Sequence, residues 1–260
     1  MNYRKYGQSP FSVVVVHGGP GAAGSVKPLC EPLGSSVGVL EPFQTEKTVL
    51  GQIEELHTLI NQHADAPVIL IGHSWGAMLG FMVAASYPEK VKKLILVSSG
   101  MLEDLHLDDL RKKRESKLTQ EEALELTRLR KHFTNPKSEG MDDVFRQYGR
   151  LMDKIDSHNP LEIPFDDEHY SYDVFASIWQ EAFAMRKRGE MMTMGQNITC
   201  EVVAIHGDQD PHPDYAIKAS LEKVIKNPRF YTLRNCGHTP WKERDAEELF
   251  YEILAKELLH

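Results

Sequence analysis

The sequence predicts an α/β fold, a mostly parallel sheet flanked by helices, and three observations carry that prediction. Short β-branched runs alternate with segments whose apolar residues recur at helical spacing, which implies right-handed crossovers covering both faces of a parallel sheet. One run, Val68 to Ile71, stops abruptly in Gly72-His73-Ser74-Trp75-Gly76 and passes into an apolar helix. Three predicted strands end in loops that carry a serine, an aspartate and a histidine.

Met1 to Pro10 is polar, with alternating Tyr3 and Tyr6, and has room for one short edge strand at most. Phe11 to Val16 reads as a buried strand that stops at His17-Gly18-Gly19-Pro20-Gly21. A loop so poor in side chains lets backbone N–H groups approach a ligand, although by itself it signals no more than a turn. Val37 to Glu41 is a further short strand. Leu50, Ile53, Leu56, Leu59 and Ile60 give Thr48 to His63 the spacing of a helix. After the central strand, Ala77 to Ala85 forms a largely buried helix, closed by Tyr87-Pro88 because proline cannot continue it. Val91 to Ser98 supplies the next strand.

From residue 101 to residue 197 charges crowd in, apolar residues keep helical spacing (Leu118, Leu124, Leu126, Leu129; then Val144, Tyr148, Leu151, Ile155), and no strand-like run is found. A helical cap inserted between two strands is expected there, with residues 1–100 and 198–260 forming the core. The run Arg111 to Arg114 reads as a solvated helix face among acidic neighbours. Residues 165–194 carry Tyr170, Tyr172, Phe175, Ile178, Trp179, Phe183 and Met185, a packing surface of which part is suited to line a substrate pocket. The sheet resumes at Glu201 to Ile205 and ends in His206-Gly207-Asp208-Gln209-Asp210-Pro211. A helix over Asp214 to Ile225, a strand over Arg229 to Leu233 ending in Asn235-Cys236-Gly237-His238, and a helix within Glu243 to Leu259 complete the chain.

At 260 residues with 41% hydrophobic content, one α/β domain with an insertion is the natural size. A net charge of -8 argues against nucleic acid as a partner, because phosphate affinity needs clustered excess Lys and Arg. Cys30, Cys200 and Cys236 are odd in number and widely spaced, so no disulfide framework is indicated and a reducing cytoplasm is expected. No run is long enough for a membrane helix. The twelve histidines include no H-E-x-x-H or similar spacing, so neither a metal nor a cofactor is expected.

Ser74 sits at a strand-to-helix joint, where glycines two positions before and after it relieve the crowding of a strained turn. A serine hydroxyl is a weak nucleophile at neutral pH, so it needs a neutral histidine to take its proton and a carboxylate to hold that histidine's tautomer. His238 after the last strand fits the first role, and Asp210 or Asp208 the second. His17, His73 and His206 read as packing or hydrogen-bonding residues that brace their loops.

These motifs, in this order along nearly the whole chain, resemble the α/β-hydrolase fold family, and within it the proline iminopeptidase branch. The resemblance implies Ser74 as nucleophile, Asp210 rather than Asp208 as the acid, His238 as the base, and an oxyanion hole formed by the N–H groups of Gly19 and Trp75. It also implies a substrate that is a small molecule or short peptide, with Trp179 and Glu181 in Ile178-Trp179-Gln180-Glu181 as the residues that would receive a free amine. Two departures stand out: the sheet is shortened at its N-terminal edge, where relatives carry a hairpin, and the cap motif is offset. The activities implied are hydrolysis of a small ester or amide, N-terminal proline removal included. Carbon-carbon bond hydrolysis by the same triad, or ligand reception on a hydrolase scaffold, are the alternatives.

Overall fold

A computed structural model describes residues 2–134, 139–164 and 166–259. In chain order its first half runs β1 (Asn2–Tyr6), β2 (Phe11–Val16), β3 (Ala22–Ala23), α1 (Lys27–Leu33), β4 (Gly38–Phe43), α2 (Val49–His63), β5 (Val68–His73), α3 (Trp75–Ser86) and β6 (Val91–Val97). Then come α4 (Leu107–Lys117), α5 (Gln120–Phe133), α6 (Met141–Asp156), β7 (His169–Tyr170), α7 (Tyr172–Lys187) and α8 (Glu190–Gly195). The sheet is completed by β8 (Glu201–Gly207), α9 (Asp214–Val224), β9 (Arg229–Leu233) and α10 (Glu247–Leu259).

Seven strands form one sheet in the order β1-β4-β2-β5-β6-β8-β9. Every pairing in it is parallel except β1 with β4. The edge beside β4 is the single strand β1. β5 lies at the centre and is buried along its whole length, which is why Val68 to Ile71 is apolar without alternation. Its two faces feed separate clusters: Leu70 packs with α2, α3 and α9, whereas Ile69 and Ile71 pack with α1 and α10.

The chain between β6 and β8 holds α4 to α8, and α7 and α8 send Val174, Ile178, Ala182 and Met191 into the same cluster as Leu70. A smaller cluster of Met141, Phe145, Tyr170 and Tyr172 joins α6 to α7. One element there was not expected: His169 and Tyr170 pair antiparallel with Ala22 and Ala23, tying the insertion to the glycine loop after β2. Two residues are too few for a period-two pattern to register in sequence. Phe165, the start of the aromatic stretch, lies outside the described residues. No helix among the described residues is long and apolar enough to cross a membrane.

Candidate active site

Ser74 stands between β5 and α3 with φ at 54° and ψ at -112°. A positive φ is costly for a residue with a side chain, and the turn is held because both flanking glycines are hemmed in. A Cβ at Gly72 would strike the carbonyl of Gly76, and a Cβ at Gly76 would strike that of Val16. The Ser74 N–H is anchored on the Val97 carbonyl at 3.0 Å, and the Gly100 N–H returns to the Ser74 carbonyl at 3.3 Å. Trp75 opens α3, so its N–H is one of the donors a helix leaves without an internal acceptor. Its indole is fully buried and donates to Gln52 Oε1 at 3.0 Å. Gly19, at φ 42°, lines the same cavity as Ser74 from the loop after β2.

The loops after β8 and β9 meet beside this turn. His238 Nδ1 donates to Asp210 Oδ2 at 2.7 Å. Asp210 is completely buried. Burial pushes its carboxyl up, but the charges of His238, His206 and His212, with the His212 hydrogen bond, bring it well below the ordinary range. Burial likewise pulls His238 down, and the charge and hydrogen bond of Asp210 outweigh it, so the net shift is upward from 6.5. Asp208 is turned away: its Oδ1 accepts from the Cys236 N–H at 3.4 Å, bracing the neighbouring loop. Ser74 Oγ and His238 make no hydrogen bond to each other in this structure. Both line one cavity of about 480 Å³, and such contacts are commonly loose before a substrate arrives.

The bracing histidines have definite tasks. His73 Nε2 contacts the His238 carbonyl at 2.9 Å, and its ring stands edge-on to Trp241 at 4.7 Å. Burial, then the charge of His238, pulls His73 down to about 3, so it stays neutral. His206 Nε2 contacts the His212 carbonyl at 2.8 Å, and His17 Nδ1 the Gly18 carbonyl at 2.9 Å.

Sequence reasoning passed over His212, whose Nδ1 and backbone N–H both engage Asp210 Oδ1, at 2.9 and 2.8 Å. The only signal available was its place two residues after the acid. Asp210, His212 and His238 also form the one cluster among the described residues with ligand atoms close enough for a metal, all within 4.8 Å. Those atoms already satisfy one another as N–H···O hydrogen bonds, so the donor set fits an acid–histidine network better than an ion.

Helix α4 requires a correction. Arg111 is exposed and pairs with Asp108 as a solvated face would, but the next turn faces inward. Lys113 Nζ donates to the carbonyls of Asp208 and Asp210 at 3.0 and 2.7 Å, and Lys117 Nζ to those of Gln209 and Ser157. Arg114 donates to both oxygens of Asp156 at 2.8 and 2.5 Å, and the Asp156 carbonyl accepts the His238 N–H at 2.9 Å. Burial pushes the Asp156 carboxyl up, and the guanidinium more than reverses it. The cations are drawn in by unpaired loop carbonyls and one buried carboxylate, neither of which has a sequence signature.

The two cap candidates separate. Trp179 lines the cavity and meets the Trp75 ring edge-on at 5.9 Å. Glu181, expected at a substrate amine, is not among the cavity's lining residues; its Oε2 accepts the Val49 N–H at 2.7 Å, at the first turn of α2. Two positions along a helix differ by more than half a turn, so Trp179 and Glu181 face apart. The far wall comes from α6, whose Phe145, Tyr148, Gly149, Met152, Asp153 and Asp156 form a stripe along one face. Charges on the wall are matched: Arg114 with Asp156, Lys242 with Asp153, Arg186 with Asp104, and Asp166 with Arg4.

A strained serine at a strand–helix joint, with an acid-held histidine beyond two further strand ends, defines a class, and the sequence comparison agrees with it. A model of the alpha/beta hydrolase fold family matches residues 20–245. The chain belongs to that family. A cis-3-alkyl-4-alkyloxetan-2-one decarboxylase of Shewanella oneidensis is 33% identical over 63 residues, 24% of this chain and 19% of that protein. Salicylic acid-binding protein 2 of Nicotiana tabacum is 33% identical over 107 residues, 36% of this chain and 41% of that protein. The chain thus spans about a fifth of the first curated relative and about two fifths of the second. The crystal structure of a lipase candidate from Acinetobacter baumannii aligns with a TM-score of 0.68 at 19% identity, covering 99% of this chain and 86% of that one, a likeness of fold.

Proposed function

We propose that the chain is a serine hydrolase that cleaves a small, uncharged ester through an acyl-enzyme on Ser74. His238 takes the hydroxyl proton as Ser74 attacks and returns it to the leaving group, while Asp210 fixes the imidazole tautomer. The N–H groups of Gly19 and Trp75 receive the oxyanion, an interaction worth roughly 3 kcal/mol per donor in comparable sites. The observation that carries this reading is the positive φ of Ser74 in a cavity shared with a histidine held 2.7 Å from a buried aspartate.

The preference for an uncharged ester over an N-terminal prolyl amide rests on the wall. An ammonium leaving water needs an unmatched carboxylate. Asp153, Asp156 and Asp166 each already face a cation, and the Glu181 carboxylate serves α2 instead. Three free cysteines fit a reducing compartment such as the cytoplasm. The test is a panel of short acyl esters and aminoacyl amides, run beside fluorophosphonate labelling read by intact-protein mass spectrometry. One label at Ser74 with turnover of the esters is expected. A label elsewhere, or binding of ligands with no turnover, would make the cavity a receptor pocket.

A further inference from the structure

His212 is bound more tightly than a loop residue needs to be, and only on one side. Its Nδ1 and backbone N–H both go to Asp210 Oδ1, and its carbonyl is held by His206. A carboxylate that accepts from Nδ1 fixes the proton there, which leaves Nε2 with a lone pair. Nε2 has no hydrogen-bond partner among the described residues, and His212 lines the cavity. Burial, set against the charge of Asp210, brings the ring down to about 4, so the lone pair persists at neutral pH. The ring stacks on that of His238, with centroids 4.7 Å apart and planes 30° apart.

Resting on the serine-hydrolase reading, in which His238 hands its proton to the leaving group, we infer that His212 is a specificity-determining residue whose Nε2 accepts a hydrogen bond from a hydroxyl or N–H on that leaving group. The stacked position puts this acceptor next to the base, within the same cavity. The matched ion pairs of the wall do not compete for such a donor. A neutral acceptor selects for a donor without requiring charge, which suits leaving groups of the glycol or hydroxyamide type.

Two esters of one acid separate the idea from its alternatives: 2-hydroxyethyl butyrate, with a donor on the leaving group, and 2-methoxyethyl butyrate, without one. The parent enzyme should prefer the hydroxyethyl ester in kcat/KM by roughly three- to tenfold, the span of a single neutral hydrogen bond. His212→Asn, whose amide can still donate to Asp210, and His212→Phe should both bring the ratio near one. A ratio near one in the parent enzyme, or one retained in His212→Asn, would overturn the inference. A second reading does not depend on turnover: in Ser74→Ala enzyme labelled with ¹⁵N-histidine, saturation with the hydroxyethyl ester should move the His212 Nε2 resonance upfield, and the methoxyethyl ester should not. Equal or no movement also overturns it. Failure of the parent enzyme to turn over either ester would instead strike the proposed function, with the resonance still deciding the role of His212.

Discussion

Helices α3 and α4 both serve the site, and they are opposite kinds of helix. α3 is buried at every position but its last, apolar on all sides, and packed between the sheet, α2 and α8. No residue of α4 is fully buried; Leu107 and Leu110 pack partly against the core, and its polar inward contacts are those of Lys113, Arg114 and Lys117. A helix apolar all round has one stable place, inside, so composition alone locates α3 and the serine at its head. A charged helix is at home in water on any face. The side it turns inward depends on which carbonyls and carboxylates lie opposite. The proposed nucleophile is thus set by burial, and the loops of the proposed acid and base are set by polar contacts from α4.

The sharpest test of the buried half is Ser74→Ala. Turnover should fall by roughly 10⁴- to 10⁶-fold, the range seen on losing a triad member, with the melting temperature nearly kept. Activity within tenfold of the parent would show that α3 presents some other nucleophile.

Next in size is the acid. Asp210→Asn should lower turnover by about 10⁴-fold, because the amide favours the wrong imidazole tautomer. Asp208→Asn should cost less than about tenfold, since Asp208 only braces the turn, as a caped loop carboxylate would. The pH profile follows the same geometry. His238 must be neutral to accept the serine proton, and its pKa lies above 6.5. Activity should therefore be complete above that pKa and fall as pH drops through it, with a midpoint on the alkaline side of 6.5. A midpoint below 6.5 would mean that Asp210 does not hold the base.

The polar half is tested by Arg114→Met, which leaves Asp156 buried without its partner. Breaking one side of such a pair costs roughly 3 kcal/mol, read as a lower midpoint in urea. Because the Asp156 carbonyl holds the His238 N–H, kcat should drop more than KM changes. Arg114→Met with Asp156→Asn should recover most of the stability, and a failure to recover would show that α4 is held by packing rather than by charge.

The smallest effect is expected from Glu181→Gln. The carboxylate at the first turn of α2 contributes on the order of 1 kcal/mol or less, so the melting temperature should slip slightly. Ester kcat/KM should not move. A marked loss on an unblocked prolyl amide, confined to that substrate, would return Glu181 to the site.

Much of this site was legible beforehand because its parts are demanded by backbone geometry. Gly72 and Gly76 leave no room for a Cβ, and a serine between them at a strand end has few other uses. A carboxylate and His238 are expected at strand ends that come together in a parallel sheet of this connectivity, and the choice of Asp210 over Asp208 came from the family resemblance. His212 was not legible: two residues from an aspartate, a histidine is an ordinary loop residue until both side chains turn the same way. The contact of Glu181 with α2 was not legible for a similar reason, since its neighbour Trp179 does reach the cavity and a helix sends the two in different directions.

By itself the sequence determined the alternation of strand and helix, the buried centre of the sheet and the residue types at three strand ends, because these rest on periodicity, burial and local steric need. Only the tertiary structure decided which face of α4 turns inward, where Glu181 spends its charge, and that a second histidine shares Asp210. Those outcomes depend on pairing between groups distant in sequence, and a hydrogen bond between distant groups leaves no period in the chain to be read.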